Sequence, residues 1–394
     1  MKAVVSLNSG SSSIKFALFT LGDAGAPVLS AGGKIEGIGI APRLIARSVD
    51  GSVVLDRSWA GGAALGHAAL LEDLFDWAAE HLDGYEVLAI GHRVVHGGTD
   101  FAAPRRIDDA LLTALEALCP LAPLHQPHNL AAIRAIAALR PELPQVACFD
   151  TAFHHDRPEL ATRLAIPREL HAQGIRRYGF HGLSYEYIAR RLAEIDPAVA
   201  EGRVIAAHLG NGASLCAMRG GRSVDTTMGF TALDGLMMGT RCGSIDPGVV
   251  LHFQTQMGMS AADVEDMLYR KSGLLGVSGI SSDMRALSES ASPDAEEALA
   301  LFVWRAAREA GALIACIEGL DGIVFTAGIG ENHAAMRARI CAQLAWAGVE
   351  IDADANARNA QRISMPESRV AVYVIPTDEE RMIALHTLNV LKAA

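Results

Sequence analysis

Two stretches, "VVSLNSGSSSIKFALF" at residues 4–19 and "VIAAHLGNGASLCAMR" at 204–219, follow one pattern. In each stretch an apolar run of strand-forming residues leads into a turn of Gly, Ser or Asn, and a second apolar run follows. This order of residues is typical of a β-hairpin. Because the two copies lie about 200 residues apart, they predict a fold with two similar halves.

The similarity of the halves continues beyond the hairpins. Strand-like and helix-like runs alternate along the chain, which indicates an α/β protein. A strand ending in a glycine turn follows each hairpin, as "AIGHRVVHGG" and "IVFTAGIGEN". We therefore predict a duplicated two-lobe fold with polar turns lining a central cleft. The N-terminal lobe is expected at 1–149 and the C-terminal lobe at 150–379, with a last helix at 380–394 packing on the first lobe.

Several helix starts and one turn can be read locally. Pro127 and the pair Ser292–Pro293 predict the beginnings of two helices. "ARSVDGSVVLDRS" predicts a hairpin that turns at Asp50–Gly51. Thr377 and Glu380 have the spacing of a capping box for the last helix.

Composition excludes several classes of protein. The net charge of -11 argues against binding to nucleic acid. No apolar run approaches the roughly 20 residues of a membrane helix, and "MKAVVSLNSG" does not resemble a secretory signal. The six cysteines form no C-x-x-C pair and predict reduced thiols rather than disulfides or a zinc site. We expect a cytoplasmic protein without a membrane or nucleic-acid partner.

The glycine turns suggest a ligand with several phosphates. Gly and Ser let backbone N–H groups approach an anion closely, and four such turns occur: "NSGSSS", "HLGNG", "AGIGEN" and "SGISSDMR". Any one of these turns alone could equally be an ordinary tight turn without a ligand. Neither a Walker loop nor a dinucleotide fingerprint is present, so a nucleotide held by hairpin turns is the remaining interpretation.

Nine segments together resemble the signature segments of the acetate kinase family, in the family order from residue 8 to 380: "NSGSSSIKF", "GHRVVHGG", "FDTAFH", "RRYGFHG", "HLGNGAS", "MGTRCG", "SGISSDMR", "FTAGIGEN" and "PTDEE". The resemblance implies the sugar kinase, heat-shock-70 and actin superfold, a ribonuclease H-like architecture. It also implies reversible transfer of a phosphoryl group from ATP to acetate, giving ADP and acetyl phosphate. Mg²⁺, which Mn²⁺ can replace, and a homodimer are implied as well.

The resemblance assigns roles to polar residues around the reaction. Arg93, whose charge at the end of an apolar strand needs a partner, corresponds to the family's substrate-binding arginine. Arg241 is expected to stabilise the transferring phosphoryl group, and His181 to assist it with a hydrogen bond. The family treats Asp150 as a proton donor or acceptor. Because a carboxylate substrate arrives ionised at pH 7, an outer magnesium ligand or an orienter of an arginine remains the alternative for Asp150.

Metal and nucleotide residues follow from the same segments. Asn8 and Glu379 are expected on the metal; if Glu380 belongs to the capping box, Glu379 is the carboxylate left over. The resemblance places the nucleotide mainly in the second lobe, with Asp283 on the ribose and Arg285 on the adenine face. The complete set of nucleotide positions is Lys15, His208, Leu209, Gly210, Asn211, Gly212, Asp283, Met284, Arg285, Gly328, Ile329, Gly330, Glu331 and Asn332.

The pocket for the acid's methyl group departs from the family pattern. Val95, Leu124 and Phe180 match it, whereas Ala232 stands in "FTALDG" where the family has Pro. The change removes about one methylene of volume, worth only ~1 kcal/mol in discrimination. Ser244 also stands where Asp is usual, and Leu183 and Tyr185 where Thr and His are usual. Propionate, or a mixed short-chain preference, therefore remains an alternative to acetate.

Other functions on the same superfold fit less well. A sugar kinase needs a base to activate a hydroxyl, whereas the expected pocket is apolar and contains arginines. A non-catalytic nucleotide switch like actin would lack the paired arginines and His181. A butyrate kinase departs further from these signatures than this chain does.

Overall fold

The computed structural model describes residues 1–10, 13–22, 25–59, 61–81 and 84–393. Two residues of the predicted phosphate turn "NSGSSS", at 11 and 12, and residue 394 of the predicted last helix lie outside these ranges. The chain divides into two compact units: the first is Met1–Ala152 with the C-terminal segment from Asp378, and the second is Phe153–Thr377. The sequence had placed the boundaries at 149/150 and 379/380.

The described residues form thirteen strands and sixteen α-helices. The strands are β1 Lys2–Ser9, β2 Ser13–Leu21, β3 Pro27–Glu36, β4 Arg43–Ser48, β5 Val53–Ser58, β6 Glu86–Val94, β7 Arg105–Arg106, β8 Gln145–Phe149, β9 Arg203–Leu209, β10 Ala213–Arg219, β11 Arg222–Thr226, β12 Gly322–Thr326 and β13 Ala371–Val374. The helices are α1 His67–His81, α2 Asp109–Ala117, α3 Gln126–Leu139, α4 Glu159–Thr162, α5 Arg168–Ala172, α6 Gly182–Ile195, α7 Pro197–Ala200, α8 Pro247–Thr255, α9 Ala261–Arg270, α10 Gly273–Ser278, α11 Met284–Ser288, α12 Pro293–Cys316, α13 Ala327–Asn332, α14 Ala334–Gln343, α15 Ala353–Ala357 and α16 Glu379–Ala393.

The two sheets repeat one topology. The second unit has the strand order β11-β10-β9-β12-β13, and the first contains β3-β2-β1-β6-β8 within an eight-stranded sheet. In both, a meander of three antiparallel strands is followed by two strands parallel to the first strand of the hairpin. The predicted duplicated α/β fold, with each half opening on a hairpin, is confirmed.

Helices cover both faces of the first sheet because β1 alternates its apolar side chains. Leu7 faces one core, with Leu70 of α1 and Ile136 of α3. Val4 faces the other core, with Ala384 and Leu388 of α16. The last helix crosses so closely that a Cβ at Gly91 would lie 2.1 Å from Thr387 Oγ1, so only glycine fits there.

The second unit buries α6 against its sheet. Tyr185, Ile188 and Leu192 of this helix pack with Val204 of β9 and Tyr373 of β13, all less than about 2 % exposed. The spacing 185, 188, 192 is the i, i+3, i+7 pattern of a helix with one apolar face. This packing fixes the N-terminal end of α6, which begins directly after His181.

Most local predictions agree with the structure, and two are wrong. Pro127 lies in the first turn of α3, Ser292 caps α12, and β4 and β5 pair around Gly51. The segment "AGIGEN" is not a turn but the short helix α13. Asp378, not Thr377, caps α16: its carboxylate accepts from Arg381 N–H at 2.9 Å. Among the described residues, no helix has the length and apolar character required to cross a membrane.

Candidate active site

In the first unit, three parallel strands bring Asn8, Arg93 and Asp150 together. Asn8 lies at the end of β1, Arg93 at the end of β6, and Asp150 directly follows β8. The Arg93 guanidinium donates two hydrogen bonds to the Asp150 carboxylate, from Nε to Oδ1 at 3.0 Å and from Nη2 to Oδ2 at 2.6 Å. Its third nitrogen, Nη1, donates to Asn8 Oδ1 at 3.3 Å. Asp150 is 1 % exposed, so this ion pair supplies the partner that the buried charge of Arg93 requires.

The N-terminus of α16 adds two carboxylates to this cluster. Glu379 Oε2 lies 4.0 Å from Arg93 Nε. Burial alone would lower the pKa of Arg93, but the charges of Asp150 and Glu379 raise it above its ordinary value. Burial and the charge of Glu379 raise the pKa of Glu380, against the opposing charge of Lys15. Because Asp378 and not Thr377 caps α16, Glu380 is not part of a capping box, and the sequence-based reason for separating it from Glu379 is wrong.

The donors of this cluster fit a magnesium ion. Within the described ranges no group of three or more His, Cys, Asp or Glu side chains is arranged as a metal cage. Mg²⁺ in phosphoryl-transfer sites needs no such cage, since it keeps waters and uses one or two carboxylates together with substrate phosphates. Glu379 and Glu380 offer carboxylate oxygens, and the charge of Glu379 contributes, after burial, to the raised pKa of Glu380.

In the second unit, His181 is held on three sides. It occupies the N-cap position of α6 in the left-handed conformation, with φ at 59°. Its Nδ1 lies 2.8 Å from Ser214 Oγ, and its ring stacks on His208 with the centroids 4.1 Å apart. His208 Nδ1 in turn lies 2.8 Å from Ser184 Oγ. His208, predicted to contact the nucleotide, thus supports His181.

Arg241 reaches the same place from a loop. Its Nη1 donates to the backbone oxygen of Ala232 at 2.6 Å. A Cβ at Gly212 would lie 2.7 Å from Arg241 Nη2 and 3.6 Å from His181 Nε2. Two nitrogen groups thus converge beside the Cα of Gly212, where a side chain would displace the Arg241 guanidinium, and the spot between them suits an anionic oxygen.

A cavity of about 800 Å³ lies in the second unit, within the size range of small-molecule sites. Of the predicted nucleotide residues it is lined by Gly210, Asn211, Asp283, Met284, Arg285, Gly328, Ile329 and Asn332. The sequence missed Ser282, Ser288, Glu289, His333, Ala334 and Ala335, which also line it. Ser282 precedes α11 within the segment "SGISSDMR", Ser288 and Glu289 lie at the end of that helix, and Ala334 and Ala335 lie in the first turn of α14.

Other predicted nucleotide residues do not line this cavity. The Glu331 carboxylate turns inward and accepts from the backbone N–H of Ala327 at 2.8 Å and of Thr377 at 3.1 Å. Asp283 lines the cavity, and it also caps α11: its Oδ1 accepts hydrogen bonds from the backbone N–H groups of Arg285 and Ala286. The structure does not place His208, Leu209, Gly212 and Gly330 on the cavity wall, and Lys15 lies in the first unit, paired in register with Asn8.

The predicted acid-pocket residues divide between the units. Val95 and Leu124 belong to the first unit, Phe180 and Ala232 to the second. Val95 N–H donates to Asn129 Oδ1 at 3.1 Å. Phe180 is held by its backbone oxygen, which lies 2.9 Å from His154 Nε2. Burial lowers the pKa of His154 to about 3, so its ring stays neutral and donates this bond.

The unusual residues Ser244 and Tyr185 have partners of their own. Ser244 Oγ donates to Asp234 Oδ1 at 2.7 Å and accepts from Gly235 N–H at 3.1 Å. Tyr185 Oη lies 2.5 Å from Ser214 Oγ, the same oxygen that contacts His181. Ser244 thus stabilises the loop that leads to Arg241, and Tyr185 reaches the site through one intermediary.

The duplicated sheets, the arginines and the nucleotide-sized cavity define a phosphotransferase of the two-lobe superfold. The solved structures of a propionate kinase from Francisella tularensis and of acetate kinase from Porphyromonas gingivalis superpose with TM-scores of 0.91 and 0.87, at 38% and 37% identity. Each comparison covers 99% of this chain and 100% of the other.

Sequence comparison gives the family. The model of the acetokinase family matches residues 3–385. Acetate kinase of Rhodopseudomonas palustris is 54% identical over 384 residues, 96% of each chain, and that of Rhizobium meliloti is 48% identical over 394 residues, 100% of this chain and 99% of the relative. The chain belongs to the acetokinase family and is an enzyme, a phosphotransferase with ATP as co-substrate.

Proposed function

We propose that the chain catalyses ATP-dependent phosphorylation of acetate to acetyl phosphate, and the reverse reaction. The observation that carries the proposal is the convergence of Arg241 Nη2 and His181 Nε2 on Gly212, which lies between Asn211 of the cavity wall and the first residue of β10. Two donors around one small space suit the equatorial oxygens of a phosphoryl group in transfer. Relatives named acetate kinase support acetate as the acceptor.

The reaction is a direct displacement at phosphorus. A carboxylate oxygen of acetate attacks the γ-phosphorus of ATP while the bond from phosphorus to the β,γ-bridging oxygen breaks, and the electron pair leaves with ADP. Because acetate is ionised at neutral pH, no proton has to be removed from it. The enzyme's part is therefore positioning and charge neutralisation: Arg241 and His181 stabilise the phosphoryl oxygens.

Arg93 is proposed to bind the acetate carboxylate. A guanidinium pairs well with a carboxylate because its N–H groups form a planar fork. Two arms of Arg93 are already held by Asp150, at 3.0 and 2.6 Å. This pairing supports the orienting role for Asp150 over proton transfer.

Mg²⁺ is proposed as the metal, with Mn²⁺ as a substitute. Glu379 and Asn8, with Glu380 beside them, would hold it through oxygen atoms. When bound, the ion supplies positive charge that neutralises the phosphates of the nucleotide.

Propionate, or a mixture of short-chain acids, is the alternative acceptor. The propionate kinase structure from Francisella tularensis is as similar to this chain in fold as the acetate kinase structure from Porphyromonas gingivalis is. Ala232 lacks the ring atoms of proline, and its backbone oxygen holds Arg241. A change at this position therefore affects both the volume of the acid pocket and the support of a catalytic arginine.

The experiment that tests the function measures acyl phosphate, trapped with hydroxylamine, from ATP and magnesium with formate, acetate, propionate or butyrate. We expect the highest kcat/KM with acetate. A clear lead for propionate would replace acetate by the alternative, and Ala232→Pro would then be expected to shift preference back. Absence of acyl phosphate with all four acids would overturn the function.

A homodimer and a cytoplasmic location complete the proposal. On α12, Leu301 and Trp304 are exposed, and Trp346 lies over Gly311 of the same face. Trp304 and Trp346 are 62 % and 68 % exposed, and an apolar surface of this kind is typical of subunit contacts. All six cysteines are free, which supports a reducing compartment. Light scattering measures the oligomeric state.

A further inference from the structure

A buried row of three polar groups ends at His181. Tyr185 Oη lies 2.5 Å from Ser214 Oγ, and Ser214 Oγ lies 2.8 Å from His181 Nδ1. Tyr185 and Ser214 are both 0 % exposed, and His181 is 9 % exposed. Bulk water therefore does not compete for these hydrogen bonds, and each proton in the row has a defined place.

The direction of the protons follows from the inner end of the row. Burial raises the pKa of Tyr185 well above its ordinary value, so the phenol keeps its proton. Ser214 Oγ is the acceptor within reach of the Tyr185 hydroxyl. Because a buried O–H without an acceptor costs free energy, the phenol donates its proton to Ser214 Oγ.

Ser214 has a single proton to pass on. Because its oxygen accepts from Tyr185, its O–H donates to His181 Nδ1. Nδ1 is then the acceptor of the imidazole, and the ring proton resides on Nε2. Nε2 is the atom that faces Gly212 beside Arg241 Nη2, so an N–H points to the spot where the guanidinium also points. The opposite direction would put a lone pair there and repel a phosphoryl oxygen.

We infer that Tyr185 is a positioning residue, which acts through Ser214 to hold His181 in the orientation and tautomer that present Nε2–H to the transferring phosphoryl group. The inference rests on the proposed function for what Nε2–H does, and on the contacts alone for how it is held. The stacked His208 ring holds the plane of His181, whereas the row through Ser214 determines which ring nitrogen carries the proton.

The kinetic test compares two tyrosines of one core. Tyr185 and Tyr373 belong to the same buried cluster, and Tyr373 Oη donates to Asp196 Oδ2 at 2.6 Å, away from His181. Tyr185→Phe and Tyr373→Phe each delete one buried hydroxyl. We expect Tyr185→Phe to lower kcat about tenfold, the size of one lost hydrogen bond. KM for acetate and ATP should stay within about twofold, and Tyr373→Phe should keep the kcat of the wild type.

A double mutant tests the connection through Ser214. Ser214→Ala should lower kcat like Tyr185→Phe, and the double variant should be little worse than either one, because all three remove the same support. Additive losses in kcat, or a kcat for Tyr185→Phe equal to that of Tyr373→Phe, would overturn the inference.

A spectroscopic test does not depend on activity. In protein with ¹⁵N-labelled histidine, the His181 signals are identified by their loss in His181→Gln. The wild type should show the proton on Nε2, and Tyr185→Phe should gain the Nδ1-protonated form. An Nδ1–H ring in the wild type would refute the inference even in an active kinase. An inactive wild type would instead refute the proposed function and leave this measurement decisive for the tautomer.

Discussion

At the scale of single residues, the two arginines are held in different ways. Arg93 is fixed by a carboxylate, with two arms on Asp150. Arg241 is fixed by a neutral backbone oxygen, that of Ala232. The separate tasks proposed for the two arginines are the acid for Arg93 and the phosphoryl group for Arg241.

The role of Asp150 can be tested by Asp150→Asn. The amide keeps one acceptor for Arg93 but loses the second arm and the charge. We expect kcat/KM for acetate to fall about 100-fold, because a misplaced guanidinium costs positioning. The shape of the pH–rate profile should remain that of the wild type, since no proton is transferred.

A matched control for this variant exists in the second unit. Arg203 donates to both carboxylate oxygens of Asp321, Nε at 2.8 Å and Nη2 at 2.7 Å. Asp321→Asn breaks the same geometry away from the site and should reduce stability without changing kcat. If Asp150→Asn instead removes one limb of the pH–rate profile, Asp150 transfers a proton and the orienting role is wrong.

A site residue could be predicted from the sequence when its partners lie at equivalent strand ends, and could not when the contact joins distant parts of the chain. Asn8, Arg93 and Asp150 each end a strand, so their convergence follows from a parallel sheet. The support of His181 could not be foreseen in this way, because Ser214 lies 33 residues away and Tyr185 looks like a core residue of α6. Only the register of β9 against β10 and the rotation of α6 bring them together.

At the scale of elements, the hairpins and long helices followed from local patterns, whereas short elements did not. α13 has six residues, too few to show a helical period, and its glycines imitate a turn. The start of α16 was misread for a related reason. Asp378 and Thr377 are both residue types that cap helices well. Asp378 is the N-cap of α16 because Thr377 contacts Ser184 and Glu331 in the second unit.

The buried carboxyl group of Glu380 at the start of α16 should make the stability of the protein depend on pH. Burial and the charge of Glu379 raise the pKa of Glu380 above that of an unfolded glutamate. Between these two pKa values the folded state binds more protons than the unfolded state, so this group lowers the free energy of unfolding as pH rises. Glu380→Gln removes the effect and should stabilise the protein at pH 7, by on the order of 1 kcal/mol, with little difference near pH 4.

Urea unfolding at several pH values, without magnesium or nucleotide, measures this difference. Glu297→Gln, on the exposed side of α12, is the control for the same replacement of a glutamate outside the acidic cluster. Equal stability of Glu380→Gln and the wild type at all pH values would contradict the assignment of Glu380 to the acidic cluster. Loss of activity together with gained stability is expected, since a site that gathers like charges trades stability for metal binding.

At the scale of the whole molecule, one topology is used for two kinds of chemistry. The strand ends of the first unit carry the ion-paired arginine and the carboxylates, and those of the second carry His181's supports and the nucleotide-sized cavity. Duplication was visible in the sequence because both hairpins kept their small polar turns. The different chemistry of the two units could not be predicted from the sequence, since the same turn pattern precedes acidic residues in one unit and a cavity in the other.

This division predicts where the nucleotide changes the protein. ADP with magnesium at 100 times its Kd should stabilise the state that binds it by about 2.7 kcal/mol. In hydrogen exchange read by mass spectrometry, the slowing should concentrate in peptides that contain 210–212, 282–289 and 328–335. The edge hairpin of β4 and β5 in the first unit should exchange at an unchanged rate. As a control, Gly328→Leu places a side chain where a Cβ meets nothing within 4 Å, so it should fill the cavity without disturbing the fold and abolish the slowing. Protection that persists in Gly328→Leu, or that appears in the edge hairpin, would show that the nucleotide binds elsewhere.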